Sequence, residues 1–258
     1  MNNLNNGVMD YNENIQMDIN DINVNTKVVE KSRKFMNDSF YITYVLLLTT
    51  ATICFIEAIR TKDIKIRNIL NLEVCISFVA AYFYSVFMEK INVSGGNENR
   101  VGDIDFAKIN ITRYTDWSIT TPLMLLVLLL ALLYNTGGSL EISKFLIVLL
   151  LNFGMLASGY MGVKGNISKN AGLISGFVLF FALYGYIYMN FMYGKYHFDN
   201  VLIFGAFFVF WSLYGVIYML GDDYEEEKNI GYNLLDLFSK CFVGIFFWAY
   251  FTKVFILK

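Results

Sequence analysis

Seven stretches of this 258-residue chain are apolar enough and long enough to cross a lipid bilayer, and they limit its fold more than any other feature. A hydrocarbon core about 30 Å thick takes roughly 20 mostly apolar residues in helical form. The stretches cover about residues 39–59, 69–88, 111–134, 145–163, 171–193, 200–220 and 232–256. The links between them are short, which makes consecutive helices antiparallel neighbours in one bundle. A composition of 56% hydrophobic residues and a mean hydropathy of +0.48 is too apolar for an ordinary soluble domain. The expected fold is an all-α membrane protein, a seven-helix bundle with the lipid bilayer as its solvent.

The polar remainder sits mostly at the start. Residues 1–38 are rich in Asn, Asp and Glu and lack the basic start and apolar middle of a secretory signal peptide. They read as a mostly flexible tail that orders only near its end, and residues 39–258 as the bundle domain. Cys54, Cys75 and Cys241 all fall inside expected helices, so they read as small buried apolar groups rather than a disulfide framework. His197, alone in the link "YGKYHFDN", has no neighbours to complete a metal set and reads as a surface residue. Basic residues are spread over both sets of loops, so their count does not orient the chain. The densest short basic loop, "RTKDIKIR", favours a cytoplasmic first connection, with the N-terminus outside, the C-terminus inside and the acidic link "GDDYEEEKN" outside. Asn92 and Asn166 match a three-residue glycosylation pattern that is common by chance.

Ionisable residues within the apolar segments carry the chemical information. Each costs at least about 2.5–3.5 kcal/mol to insert, so each needs a partner and is a functional candidate. They are Glu57, Glu73, Arg113, Asp116, Asp236 and Lys240. Lys240 lies roughly 12 Å along its helix from Tyr232, too deep for its stem to reach either interface. A lysine so placed loses its proton or gains an anionic partner, and desolvation is also what a Schiff-base lysine needs. Asp236 is four residues earlier, on the same helical face. On the third segment, Arg113, Asp116 and Thr120 form one stripe of cation, carboxylate and hydroxyl, and Trp117 and Thr121 share the adjoining face. Pro122 frees a backbone carbonyl, a vacancy that Ser118 or Thr121 is placed to meet. A structural salt bridge between the third and seventh helices explains these charges singly. It leaves unexplained why they share one depth with Tyr114, Trp117, Trp211, Tyr214 and Tyr218. Beside a buried lysine and two carboxylates, those aromatics fit the walls of a slot for a conjugated aldehyde.

The motifs "RYTDWSITTPL", "WSLYG" and "DLFSK", in that order on the third, sixth and seventh segments, resemble the microbial rhodopsins, the seven-helix retinal proteins. The resemblance spans about residues 39–256 and implies all-trans retinal bound covalently to Lys240 as a protonated Schiff base. It implies Asp116 as primary counterion and proton acceptor, Asp236 as second counterion, Arg113 below them, and Thr120 hydrogen-bonded to the acceptor. Tyr114, Trp117, Thr121, Met124, Met155, Trp211, Tyr214 and Tyr218 match pocket positions. In "NFGMLASG", Met155, Ser158 and Gly159 match contacts to the ionone ring, while the fifth segment, "GFVLFFALYGY", matches poorly. The nonpolar Met124 resembles green-absorbing members.

Departures from the family pattern shape the functional expectation. Gly215 replaces a proline, Tyr218 a tryptophan, and Val127 stands where pumps commonly place the carboxylate that returns a proton to the Schiff base. Glu73, in the cytoplasmic half of the second helix, is the replacement donor, since an apolar surrounding keeps a carboxyl protonated. The alternative for Glu73 is a hydrogen bond to a neighbouring helix. Glu57 and Arg60, an i,i+3 pair, and Trp248, two turns beyond Lys240, resemble the pump-like, pentameric group of viral rhodopsins as a cytoplasmic constriction or oligomer contact. The expected activity is an outward light-driven proton pump, not an enzyme, with protons or small cations as cargo and no nucleic-acid partner. A light-gated cation channel shares every chromophore residue, and a sensory photoreceptor is the third class.

Overall fold

The computed structural model describes the backbone of residues 2–94 and 104–252 and the side chains of residues 31–91, 104–221 and 223–252. The helices are α1 (Asn2–Arg60), α2 (Ile64–Ser94), α3 (Phe106–Thr136), α4 (Ile142–Val163), α5 (Lys169–Ile187) and α6 (Phe198–Tyr218). A π-helical turn, Tyr188–Met192, prolongs α5. The last span is built from α7 (Glu225–Asp236), a π-helical turn (Leu237–Phe242) and α8 (Val243–Thr252). Among the described residues, seven helical spans have the length and hydropathy to cross a membrane, from Lys31–Arg60 to Glu225–Thr252. The chain is an integral, multi-pass membrane protein of the all-α, seven-helix class.

Most spans run a few residues beyond the apolar stretches because polar groups at their ends are satisfied locally. The Asp105 carboxylate accepts from the Lys108 N–H at 2.9 Å and caps α3. Ser168 does the same for α5 through the Ala171 N–H at 3.2 Å. Gly137, at φ +68°, ends α3 in the left-handed conformation that glycine adopts without strain. The largest difference is at α7, which begins at Glu225 rather than near residue 232. Three glutamates in its first turn complement the helix dipole, and Lys228 and Asn229 are buried, so half of the expected acidic link is helix. At the other end of the chain, Met36 and Phe40 are fully buried and Arg33 lies 3.6 Å from Glu226, so α1 is packed from its thirties onward. Residues 1–30 of the tail expected over residues 1–38 fall outside the described side chains, as does Asn92, while Asn166 is exposed between α4 and α5.

The helices form a ring in chain order, closed by α1 against α7 and α8, and α3 also reaches across to α6. In its most apolar stretch 61% of α3 is buried, against 17% for α4, so α3 is the central helix and α4 a peripheral one facing lipid. Two apolar clusters fill the bundle. Toward the end where α1 enters, Met36, Phe40, Tyr84, Phe87 and Ile109 pack together. Toward the opposite end, Val127, Leu128, Leu132, Phe180, Phe247 and Phe251 do so. Between these clusters lies a polar layer that contains Lys240. Near Pro122, the Thr121 hydroxyl donates to the Trp117 carbonyl at 2.7 Å and the Ser118 hydroxyl to the Thr115 carbonyl at 2.8 Å. Both bond back along α3 instead of turning to the carbonyl that Pro122 leaves free.

In lipid, packing density rather than removal from water holds helices together, so a void in the centre costs more than a lost contact at the rim. Truncating the fully buried Leu128 to alanine is expected to lower resistance to SDS-induced unfolding by about 2 kcal/mol. Truncating Leu150, 73% exposed, should change it by less than about 0.5 kcal/mol in the same titration.

Candidate functional site

The π-helical turn at Leu237–Phe242 carries Lys240 and widens the last span where that side chain leaves it. Such turns interrupt regular helices mostly at functional positions. Lys240 is 2% exposed, and its Nζ donates to Asp116 Oδ2 at 2.8 Å and lies 3.3 Å from Asp236 Oδ1. The amine thus sits between a carboxylate of α3 and one of α7. Charge-assisted bonds of this length between buried groups offset the desolvation of the three ions. Asp236 is held from two further sides: Tyr214 donates to Oδ1 at 2.6 Å and Tyr84 to Oδ2 at 2.9 Å. Asp116 is less tied, because its Oδ1 is buried without a hydrogen-bond partner. Thr120, expected on that carboxylate, instead donates to the Asp116 backbone carbonyl at 3.0 Å, the usual back-bond of a helical threonine.

Arg113 lies on the side where α1 enters. It is 3.7 Å from Asp236 and donates through Nη2 to the side-chain oxygens of Asn229 (3.0 Å) and Asn233 (2.9 Å). The rings of Phe87 and Tyr232 flank its guanidinium at 4.9 and 5.3 Å. From there Asn229 donates to the Glu225 carbonyl at 2.9 Å, Asn110 to the Glu225 carboxylate at 2.8 Å, and Lys228 to the same carboxylate at 2.7 Å. A polar chain therefore runs from Asp236 toward that end of the bundle.

On the lateral side, Lys240 opens into an apolar cavity lined by Tyr114, Trp117, Thr121, Met124, Met155, Gly159, Trp211, Tyr214 and Tyr218. All nine are positions that the resemblance implies for a pocket. Ser158 does not line the cavity; its hydroxyl turns back onto the Gly154 carbonyl at 2.9 Å. The fifth segment, where no pocket residue was expected, contributes Gly172, Leu173, Gly176, Phe177 and Phe180. Its contribution is small residues and phenylalanines, which carry no distinguishing pattern in a helix apolar all round. Gly215 sits where a side chain would strike the Phe177 ring, at 2.4–3.2 Å from its atoms, so the proline-to-glycine departure makes room for an α5 aromatic. Tyr218 reaches across to α4, donating to the Gly159 carbonyl at 3.3 Å. A long apolar slot with a cation at one end, flanked by indoles and with an unpartnered Trp117 Nε1, fits a conjugated chain attached to the Lys240 nitrogen.

Other expected residues lie elsewhere. Glu73 is fully interior, on the far side of Lys240 from Arg113, next to Gly244 and Thr50. Val127 is buried in the apolar cluster at that end. Glu57 and Arg60 pair at 3.7 Å at the end of α1, with Arg60 largely exposed, and Trp248 packs at the edge of the core. Sequence reading passed over Tyr84, Asn229, Asn233, Asn110 and Asn152. Asn152 is fully buried and donates to the Thr121 hydroxyl at 2.8 Å, joining α4 to α3. Charge drew attention to carboxylates and cations; neutral amides at bilayer depth were the available signal for these.

The match to known proteins follows this geometry. A family model described as bacteriorhodopsin-like protein matches residues 35–254. Among solved structures, the viral rhodopsin OLPVRII is 47% identical, with a TM-score of 0.75 over 85% of this chain and 98% of that one. A blue light-absorbing proteorhodopsin from Med12 is 22% identical (TM-score 0.66, 85% and 98% covered). Xanthorhodopsin, a light-driven ion pump with dual chromophore, is 16% identical (TM-score 0.69, 85% and 92% covered). The last two likenesses show the fold alone. No curated protein sequence matches.

Asn233 accepts from Arg113, donates to Ser39 at 2.9 Å and has the Tyr84 hydroxyl 3.1 Å from its oxygen, so one amide brings α1, α2, α3 and α7 together. Replacing it with leucine should cost about 1–3 kcal/mol of stability, because a buried guanidinium loses an acceptor. SDS unfolding of the variant beside the parent measures this.

Proposed function

The chain belongs to the bacteriorhodopsin-like family, light-driven ion pumps and channels whose members bind retinal, and on that premise we propose that it is an outward light-driven proton pump. The observation that carries the reading is the Lys240 nitrogen 2.8 Å from Asp116 and 3.3 Å from Asp236 at the mouth of an apolar cavity. Lys240 would hold retinal as a protonated Schiff base within the cavity, and the bound group would supply a light-driven isomerisation that changes the direction and basicity of the nitrogen. Asp116 Oδ2 takes the proton, since it is the nearer carboxylate and carries fewer competing hydrogen bonds than Asp236. Asp236, fixed by Tyr84 and Tyr214, keeps its charge and its place. With the N-terminus outside, Arg113, Asn229 and Asn233 lead from these carboxylates toward Glu225 and the outer surface. Glu73, on the cytoplasmic side, returns a proton to the nitrogen.

The channel reading asks for a polar path through both halves. In the described residues the cytoplasmic half is filled by Val127, Leu128, Leu132, Phe247 and Phe251, all buried. A packed apolar layer of that depth blocks passive ion flow and favours a proton carried by side chains.

With retinal added, the purified protein should show a visible band that Lys240→Ala abolishes. Asp116→Asn should end light-driven acidification of the medium and shift the band to the red, because a negative charge beside the cationic nitrogen is lost. Acidification persisting in that variant contradicts the scheme, and a photocurrent that reverses sign with voltage selects the channel. Glu73→Gln should slow return of the proton to the nitrogen by about a hundredfold, read as delayed recovery of the visible band after a flash.

A further inference from the structure

Glu73 is 2% exposed and makes no hydrogen bond or ion pair with any described residue. A buried carboxyl without a strong hydrogen bond takes its position largely from the shape of its surroundings. That shape has one unusual feature. The carboxyl lies against bare backbone of α8: a Cβ added at Gly244 would stand 3.0 Å from Glu73 Oε2, closer than ordinary contact. The same Cβ would stand 2.8 Å from Thr50 Cγ2 of α1. The gap therefore admits parts of α1 and α2 where any side chain on α8 would exclude them. Cys54 Sγ adds a weak contact to the Gly244 carbonyl at 3.8 Å, so three helices meet at this residue.

The position along the helix gives the gap its meaning. Gly244 is one turn beyond Lys240, about 6 Å along the axis. Taking the pump reading above as its basis, we propose that Gly244 is a positioning residue for reprotonation: by having no side chain, it lets the Glu73 carboxyl rest against the last span one helical turn beyond the Lys240 backbone. A methyl group at 244 displaces the carboxyl away from α8, and proton transfer falls steeply with such misplacement. Gly244 touches neither the nitrogen nor the cavity beside it, so its effect is confined to the step that uses Glu73.

The test uses the full chain loaded with retinal in lipid nanodiscs, with flash-induced recovery of the visible band as the readout. Gly244→Ala should slow recovery by about tenfold to a hundredfold while the absorption maximum stays where it is in the parent. Azide, a small weak acid that carries protons into apolar sites, should restore the parental rate. Gly244→Ala combined with Thr50→Ser removes the methyl that would strike α8 and leaves only the collision with the carboxyl; this double variant should stay slow and stay responsive to azide. It also decides the matter if the single variant does not take up retinal. Recovery of the double variant at the parental rate overturns the proposal, since helix packing rather than Glu73 then accounts for the effect. Glu73→Gln measured in parallel separates the two levels: a parental rate there removes Glu73 as donor, whereas a slow Glu73→Gln beside a fast Gly244→Ala rejects the role of Gly244 alone.

Discussion

A lysine nitrogen in the middle of a membrane bundle is tolerable only with negative charge beside it, and the arrangement of α3 against α7 follows from meeting that need. Asp116 and Asp236 approach Lys240 Nζ to 2.8 and 3.3 Å. Two carboxylates so close would repel without a second cation, and Arg113, 3.7 Å from Asp236, supplies it. The result is a layer of two cations and two anions whose net charge is near zero, a condition for placing any of them at that depth. Tyr84 and Tyr214 donate to Asp236, and Asn229 and Asn233 accept from Arg113 Nη2, so part of what ion pairing leaves over is met by neutral groups. Removing one member strands the others, so the layer behaves as a unit.

The two carboxylates are nonetheless unequal. Asp236 accepts from two tyrosines, whereas Asp116 has a buried oxygen with no partner. Environment thus gives identical side chains unequal freedom, one held from several sides and one with an oxygen left over. The surrounding apolar clusters extend that division along the membrane normal. Toward the N-terminal end a chain of amides leads to Glu225, while toward the other end a large apolar cluster surrounds the buried Glu73. The two sides of the charged layer are therefore unlike, one polar and one mostly apolar.

The seven spans were legible because a bilayer demands long apolar helices, and no other fold satisfies the backbone in lipid. The cavity residues of α3, α6 and α7 were legible for a similar reason: charges and aromatics stand out against leucine. The fifth span was not, because Gly172, Gly176 and Phe177 look like any other residues of a helix that is apolar all round. Ser158 points back to its own helix and Thr120 bonds backbone rather than carboxylate, choices made by rotamers that no spacing reveals. The early start of α7 was hidden by its charge, since "EEEKN" reads as a loop until Asn110 and Arg113 of α3 are seen to bury Lys228 and Asn229 against it.

By itself the sequence determined that the chain crosses a membrane as seven helices and that one deep lysine, two aspartates and an arginine must meet there, since a charge at bilayer depth requires its opposite. Tertiary structure alone decided which aspartate is the freer and how the neutral amides join the charges. It also decided that Glu73 rests on the bare backbone of Gly244. Those outcomes depend on distances of a few tenths of an ångström between helices far apart in the chain, and periodicity along a single helix carries no information about them.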